Sequence, residues 1–419
     1  MLGALAMDLV SRCAAARADW QKIEASMRDN PEFAAWVDRA RGVDIAEFAR
    51  ARGLKLRGTS ELEGPCPDCG GTDRFAINTR KRVFNCRGCG AGGDVIALAQ
   101  LILHCDFREA CRVLTGEDAP DGKSGTVDPE AARRAAELRA RDEAQRAAEE
   151  NSYREEERRK AYEIWRSGRP LMGTETEGYL AARGLGPVLD RVRLRHVDGL
   201  DYWRQVPVAG RKKPHLFVLH HGPAMLAAIT DDDDRFAGVH MTWFDPCAPG
   251  EKVQLVCPKT MEDLPAKKIR GSKRRGWIRL ITPAHFDRQV CGEGIETVLS
   301  PAVAELGTAD FDRTAYWASI DLQHLGGRAV ETVPHPVLRN KAGRPQRVPG
   351  PVPDADPKAP MPPEAVREIL TLGDGDSDRF TADQVHARAA RRWAMPGRTI
   401  RTAWAPEGAD FNDILRGQA

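Results

Sequence analysis

The sequence predicts an α/β protein in several parts: an N-terminal four-cysteine ribbon, a charged helical linker, a mixed α/β middle domain and a C-terminal domain built on a mainly parallel sheet. Three observations lead there. Two Cys-x-x-Cys pairs, Cys66/Cys69 and Cys86/Cys89, stand sixteen residues apart. Residues 128–160 hold ten acidic and nine basic residues, with only Leu138 and Tyr153 as large apolar groups. From about Tyr162 onward, apolar runs of strand length alternate with helical patterns, as strand–helix–strand units do.

At 419 residues, 42% hydrophobic and 30% charged, the chain is globular and long enough for about three domains. The net charge of +2 is silent about nucleic acid, so any basic surface has to be local. No run of about 18 apolar residues predicts a membrane span. The apolar opening MLGALAMDLV has no basic start and meets Asp8 early, unlike a secretory signal. Ten cysteines spread over this length, six of them isolated (Cys13, Cys105, Cys111, Cys247, Cys257, Cys291), fit a reducing cytoplasm with one metal site.

Along the chain, an N-terminal helical segment (1–42) reads as helix over 8–40. The ribbon domain (43–116) has a short helix at 43–52, then the cysteines, then helices at 94–104 and 107–114. In the linker (117–160), residues 117–127 are turn-rich. Opposite charges at three- and four-residue spacing then predict a solvated helix that holds two parts apart. The middle domain (161–287) has a helix at 177–183 and strands at 192–195, 224–230, 237–244 and 276–281. Asp231–Asp234 reads as a hairpin turn. The C-terminal domain (288–419) begins with a strand at 288–291, a Gly292-Glu293-Gly294 turn and a helix at 295–306. Strands at 315–320, 368–372 and 399–405 follow, with a helix at 381–395 and a short terminal helix. Ten of the 28 prolines fall within 326–363, which reads as an inserted loop. Parallel strands place their chemistry at their carboxyl ends.

Each Cys-x-x-Cys forms a knuckle whose glycines turn backbone amides toward thiolates. Two knuckles place four sulfurs in the tetrahedron that suits Zn²⁺. A redox pair and an iron–sulfur cluster are the competing uses. Between the pairs, 74–78 and 82–85 alternate like a hairpin. Its tip, Arg80-Lys81-Arg82, can meet phosphates. Phe75 and Phe84 read as ribbon core in preference to base-stacking groups. Through Gly92-Gly93-Asp94-Val95-Ile96, the segment resembles the zinc-binding domain of bacterial and phage DNA primases. That family commonly has His as its second ligand, where this chain has Cys69. The resemblance implies a ribbon that helps engage a single-stranded template.

Three acidic clusters each follow a strand: Glu293, the pair Asp374 and Asp376 (with Asp378 beyond), and Asp410 with Asp413. Singly, each reads as a turn, a loop or a helix N-cap. Gathered at one sheet edge, such carboxylates repel one another unless a hard cation sits among them. In this order they resemble the Toprim domain, a Rossmann-like fold shared by primases, topoisomerases and some nucleases. The resemblance spans roughly 43–115 and 160–416. It implies that Glu293, Asp374 and Asp376 are catalytic, and that with Asp410 they hold Mg²⁺, or Mn²⁺ in its place. The chain departs from the family at Thr297, where some replicative primases carry aspartate, and in its Pro-rich insertion.

The densest basic run, Lys267, Lys268, Arg270, Lys273, Arg274 and Arg275, directly precedes the strand leading to the acidic residues. It reads as a phosphate-binding loop, against a plain solvated loop. The function implied is a DNA primase that makes short RNA primers on single-stranded DNA from nucleoside triphosphates by Mg²⁺-dependent transfer. No G-x-x-x-x-G-K-[ST] occurs, so a replicative helicase would be a separate partner. The alternatives are a non-catalytic zinc-ribbon/Toprim scaffold that binds DNA, and a Toprim nuclease. A type IA topoisomerase is disfavoured for want of a tyrosine in a defensible context.

Overall fold

Residues 30–58, 61–120, 129–206, 215–339, 343–355 and 358–419 are described by a computed structural model. The parts of the expected helix at 8–40 and of the turn-rich segment at 117–127 that fall on 8–29 and 121–127 lie outside these residues, as does Cys13. The chain divides into two units, 1–148 with 339–344, and 149–338 with 345–419.

In the first unit, strict exposed–buried alternation along Glu61–Cys66 marks a strand with one face on a core. Strands β1 (Arg57–Gly58), β2 (Glu61–Cys66), β3 (Gly70–Asn78), β4 (Val83–Cys86) and β5 (Gly92–Gly93) form an antiparallel sheet in chain order. Four helices pack with it: α1 (Pro31–Gly42), α2 (Ile45–Ala51), α3 (Val95–Leu103) and α4 (Phe107–Thr115). Asn30, Asp44, Asp94 and Asp106 cap them, each side chain accepting from a first-turn amide. Trp36, Ile45, Phe75, Ile77, Phe84 and Leu98 fill the core. The Phe75 and Phe84 rings stack at 5.5 Å and are buried, so they are core residues.

Helix α5 (Pro129–Ser167) carries the alternating charges and runs beyond residue 160. Its last turns are no longer a solvated linker. Ala161 is buried, Glu157 pairs with Arg270, and Arg195 lies over the Trp165 ring at 4.6 Å. After β6 (Arg169–Pro170) and α6 (Glu175–Ala182) comes a long antiparallel set: β7 (Leu194–Val206), β8 (His215–Thr230) and β9 (Phe236–Trp243). Asp231–Asp234 lies in the turn between β8 and β9. Short β10 (Leu255–Val256) and β11 (Asp263–Leu264) pair together, and β12 (Lys267–Gly271) adds to β9. Strands β7 and β8 are far longer than their apolar runs. Their pairing carries register shifts at Val197/Leu200 and Tyr202/Trp203, which break the period-two signal, and the apolar run 216–219 of β8 leaves Leu216 and Val218 exposed.

Strand β13 (Trp277–Ile281) joins this set to a parallel one. The strands β14 (Arg288–Gly292), β15 (Thr314–Ala318), β18 (Glu368–Gly373) and β19 (Thr399–Trp404) lie in the order β15-β14-β18-β19. Helix α7 (Ile295–Glu305) follows β14, short α8 (Ala309–Asp312) precedes β15, and α9 (Leu322–Gly326) follows it. The sheet of ten strands among the described residues is therefore mixed, parallel only in its C-terminal part. It runs unbroken across residue 287.

The Pro-rich stretch, expected to be an inserted loop, contains a two-stranded ribbon held against a helix. Strands β16 (Thr332–Arg339) and β17 (Pro345–Pro349) form a ribbon on their own, where proline costs no ladder bond of a central sheet. Its carbonyls are held by donors of α10 (Arg379–Trp393). The fully buried Arg388 guanidinium donates to the carbonyls of Gly326, Gly327, Pro349 and Gly350, and Trp393 Nε1 donates to Pro360. Burial brings the Arg388 pKa down to about 10. Replacing Arg388 with Met leaves those carbonyls without donors and is expected to cost this unit about 3 kcal/mol or more. A lowered urea midpoint for the corresponding transition checks this, with Arg388→Lys intermediate.

The strand ends set up the site. β14 has β15 on one side and β18 on the other, so the connections diverge and leave a crevice at its carboxyl end. Glu293 follows β14, Asp321 caps α9 after β15, Asp374 follows β18, and Asp410 caps α11 (Phe411–Leu415) after β19.

Candidate functional site

The four ribbon cysteines are buried, with their sulfurs within 4.8 Å of one another. Cys66 and Cys89 Sγ are 3.9 Å apart and Cys69 and Cys86 Sγ 3.5 Å. A tetrahedron with Zn–S of about 2.3 Å has edges of roughly 3.8 Å, so the cluster fits Zn²⁺. Ionisation is uneven among the four. Hydrogen bonds led by that of Cys66 hold the Cys86 thiol well below its ordinary value, whereas the bond with Cys66 pushes Cys89 up. A dication removes that conflict by favouring every thiolate at once. The cluster is a structural zinc site.

At the β3–β4 turn, Arg80 and Lys81 are exposed. Arg82 is committed elsewhere: its Nη2 donates to the carbonyls of Arg41, Gly42 and Val43 at 3.0, 2.5 and 2.8 Å, closing the end of α1. A phosphate role for Arg82 would compete with that cap.

In the second unit, Glu293, Asp374, Asp376 and Asp410 line one cavity of about 210 Å³. Gly375 makes this convergence possible. A Cβ there would meet the Pro406 carbonyl at 1.8 Å, and the Gly375 amide donates to Ala409 at 2.8 Å, drawing the Asp410 loop against Asp374. Asp410 also accepts from the Asp413 amide at 2.8 Å, and Asp413 reciprocates at 3.0 Å, so Asp413 is a capping residue. Asp378 likewise caps α10 and bonds His335. Ile320, also lining the cavity, has φ +80°, a costly conformation for a β-branched residue and one that clusters at functional sites.

The carboxylates are unequal. Burial first, then the charges of Asp410, Asp376 and Glu293, push Asp374 up to about 7, against a weak pull from its 3.4 Å bond with Thr297. Its Oδ1 is buried without a partner. Burial also raises Glu293, partly offset by Lys267, whose Nζ is 3.7 Å from Oε1. The four acids line one cavity and offer the oxygen chemistry a hard divalent cation takes, but no three of them, as placed, bring ligand atoms within 4.8 Å of one another, so holding a cation would need their side chains to draw together. In metal-free protein, a folded pKa near 7 against about 3.9 unfolded means that protonated Asp374 favours folding below about pH 4. That contribution is lost as pH rises through 7. In EDTA, this unit is expected to lose up to about 4 kcal/mol between these limits, and Asp374→Asn to flatten the curve; urea melts across pH check it.

The basic run is not a loop throughout, and the structure splits it. Lys267–Gly271 is strand β12, so its side chains alternate between faces. Lys267 points into the acidic cavity. Lys268 Nζ sits over the Tyr202 ring at 4.0 Å and donates to the Trp203 carbonyl, and Arg270 pairs with Glu157. Beyond the strand, Lys273 pairs with Asp321 at 2.5 Å, Arg275 pairs with Asp232, and Arg274 is exposed. One of the six therefore reaches the cavity. Lys252, Arg183 and Glu296 also line it. Sequence reasoning missed these because each stands outside any charge run or motif spacing.

A second group, Glu175, His196 and Asp198, has metal-like spacing. Arg169 Nη2 lies 2.7 Å from Asp198, so the cluster is already an ion network.

Fold and sites define a class: a zinc-ribbon protein whose second unit gathers carboxylates at the carboxyl edge of a parallel sheet. Comparison with known proteins names the first of these parts. Residues 37–120 match the family model of the CHC2 zinc finger, the zinc ribbon of DnaG. Residues 155–279 match a domain of unknown function, DUF7146. No curated protein sequence matches the chain. Among solved structures, the Aquifex aeolicus primase (zinc binding and RNA polymerase domains) aligns over 91% of this chain and 82% of its own, at 14% identity and TM-score 0.30. A DNA primase domain from Pseudomonas aeruginosa aligns over 59% and 68%, at 14% and 0.32. The E. coli primase catalytic core aligns over 59% and 70%, at 16% and 0.32. No helix among the described residues is long and apolar enough to cross a membrane.

Proposed function

We propose that the chain is a cytoplasmic DNA primase, joining ribonucleotides into short primers on single-stranded DNA, with a C-terminal Toprim domain as its catalytic part. The observation that carries this reading is the convergence of Glu293, Asp374, Asp376 and Asp410 on one cavity with Lys267. The CHC2 zinc finger supports it from the other unit. Asp374, Asp376 and Asp410, with Glu293, would hold Mg²⁺ or Mn²⁺, which neutralises phosphate charge and polarises the reacting oxygens.

The chain's own groups have distinct tasks. Glu293 either helps to place the cation or takes the proton of the attacking 3′-hydroxyl. The 3′-oxygen forms a bond to the α-phosphorus of the incoming nucleoside triphosphate as the bond to pyrophosphate breaks. Lys267 meets phosphate charge on the cavity floor. Arg80, Lys81 and Arg274, exposed on their surfaces, contact the template backbone. A separate replicative helicase opens the duplex.

Pyrophosphate release tests this reading. Release is expected only when single-stranded DNA, ribonucleotides and Mg²⁺ are all present. DNA shortening without pyrophosphate would point to a nuclease instead.

A further inference from the structure

The cavity lining also holds cationic groups anchored on a buried acid that the proposed chemistry does not use. Glu296, in the first turn of α7, is 8% exposed. Burial opposes its charge, yet Lys252, Tyr179 and Arg183 together hold it well below the usual carboxylate range. The Tyr179 hydroxyl donates to Oε1 at 2.6 Å, and Lys252 Nζ stands 3.1 Å from the same oxygen. Both partners are themselves fixed. Tyr179 stacks on Phe244 at 5.2 Å, and Lys252 bridges through its backbone to Phe244. The Lys252 ammonium has three donors, and Glu296 occupies one. The side chain also lines the cavity shared with Asp374 and Asp376.

We propose that Lys252 binds the β- and γ-phosphates of the incoming nucleoside triphosphate, and that Glu296, steadied by Tyr179, is the positioning residue that holds it there. This rests on the reading of the cavity as a nucleotidyl-transfer site. Carboxylates for cations and a pinned ammonium lining the same cavity match a metal-bound polyphosphate, which presents both signs of charge. Lys267 differs in kind, because it pairs with Glu293 among the carboxylates.

Calorimetric titration of the full chain with Mg-ATP and with AMP tests the assignment. Lys252→Ala is expected to weaken ATP binding about tenfold or more, the loss of one charge-assisted contact, while AMP binding changes little. Lys252→Arg recovers most of the affinity. Glu296→Gln disturbs a buried ion pair, so Tyr179→Phe serves as the gentler variant. It is expected to raise the KM for ATP severalfold at unchanged kcat, whereas a purely structural role would lower Tm with KM intact. Wild-type ATP affinity in Lys252→Ala overturns the assignment while the nucleotidyl-transfer reading stands. A native chain that binds single-stranded DNA but no ATP overturns both.

Discussion

Replacing Asp374 and Asp376 together with alanine is expected to reduce ribonucleotide incorporation by on the order of 10³-fold or more, the scale on which metal-held phosphoryl transfer depends on its ligands. The same change is expected to make the metal-free second unit more stable. Asp374 has a buried oxygen without a partner and a carboxyl pushed up to about 7 by burial and by three neighbouring acids. Removing it relieves a conflict that otherwise needs a proton or a cation. Activity and stability therefore move in opposite directions, which separates loss of a ligand from misfolding. Incorporation assays and thermal melts in EDTA, run on one preparation, check both halves. Single-stranded DNA binding should survive, because these acids repel phosphate.

Cys86→Ser is expected to have the other large effect, confined to the first unit. A structural zinc contributes about 10–16 kcal/mol of apparent binding free energy, more than a small domain's net stability. Cys86 ends β4, and hydrogen bonds from Cys66, Cys69 and Cys89 lower its thiol pKa. With serine there, zinc content should fall from one ion per chain to none. The sheet from Arg57 to Gly93 should lose protection from hydrogen exchange. The melting transition of the second unit should stay within a few degrees of native. Elemental analysis with exchange mass spectrometry checks this. An intact ribbon without metal would show that its apolar core, built on Trp36, Phe75 and Leu98, suffices alone.

What could be read in advance followed the range of each signal. The two Cys-x-x-Cys pairs encode a site locally, so four letters and a spacing sufficed. Glu293, Asp374, Asp376 and Asp410 are scattered over more than a hundred residues, but each stands at a strand's carboxyl end, and the order of strands and acids carried the pattern. Lys252, Glu296 and Tyr179 had no such marker. They meet because α6, α7 and the segment that follows β9 approach the same crevice, which nothing in their neighbourhoods announces. Charge density misled at Lys267–Gly271, since strand alternation sends Lys268 and Arg270 away from the cavity. It misled again at Arg82, which closes a helix end. Proline count misled over 326–363. Composition cannot show that Arg388, Arg392 and Trp393, from a distant helix, supply donors to those carbonyls.

The central claim is that the acidic cavity joins nucleotides on a template. Its most direct test is incorporation of α-labelled ribonucleotides on single-stranded DNA with Mg²⁺, resolved by product length, for the native chain and for Asp374→Ala/Asp376→Ala. Short, alkali-sensitive products from the native chain and none from the variant are predicted. No product from the native chain across varied templates and metals, with single-strand binding equal in both proteins, would contradict the claim and leave a DNA-binding scaffold.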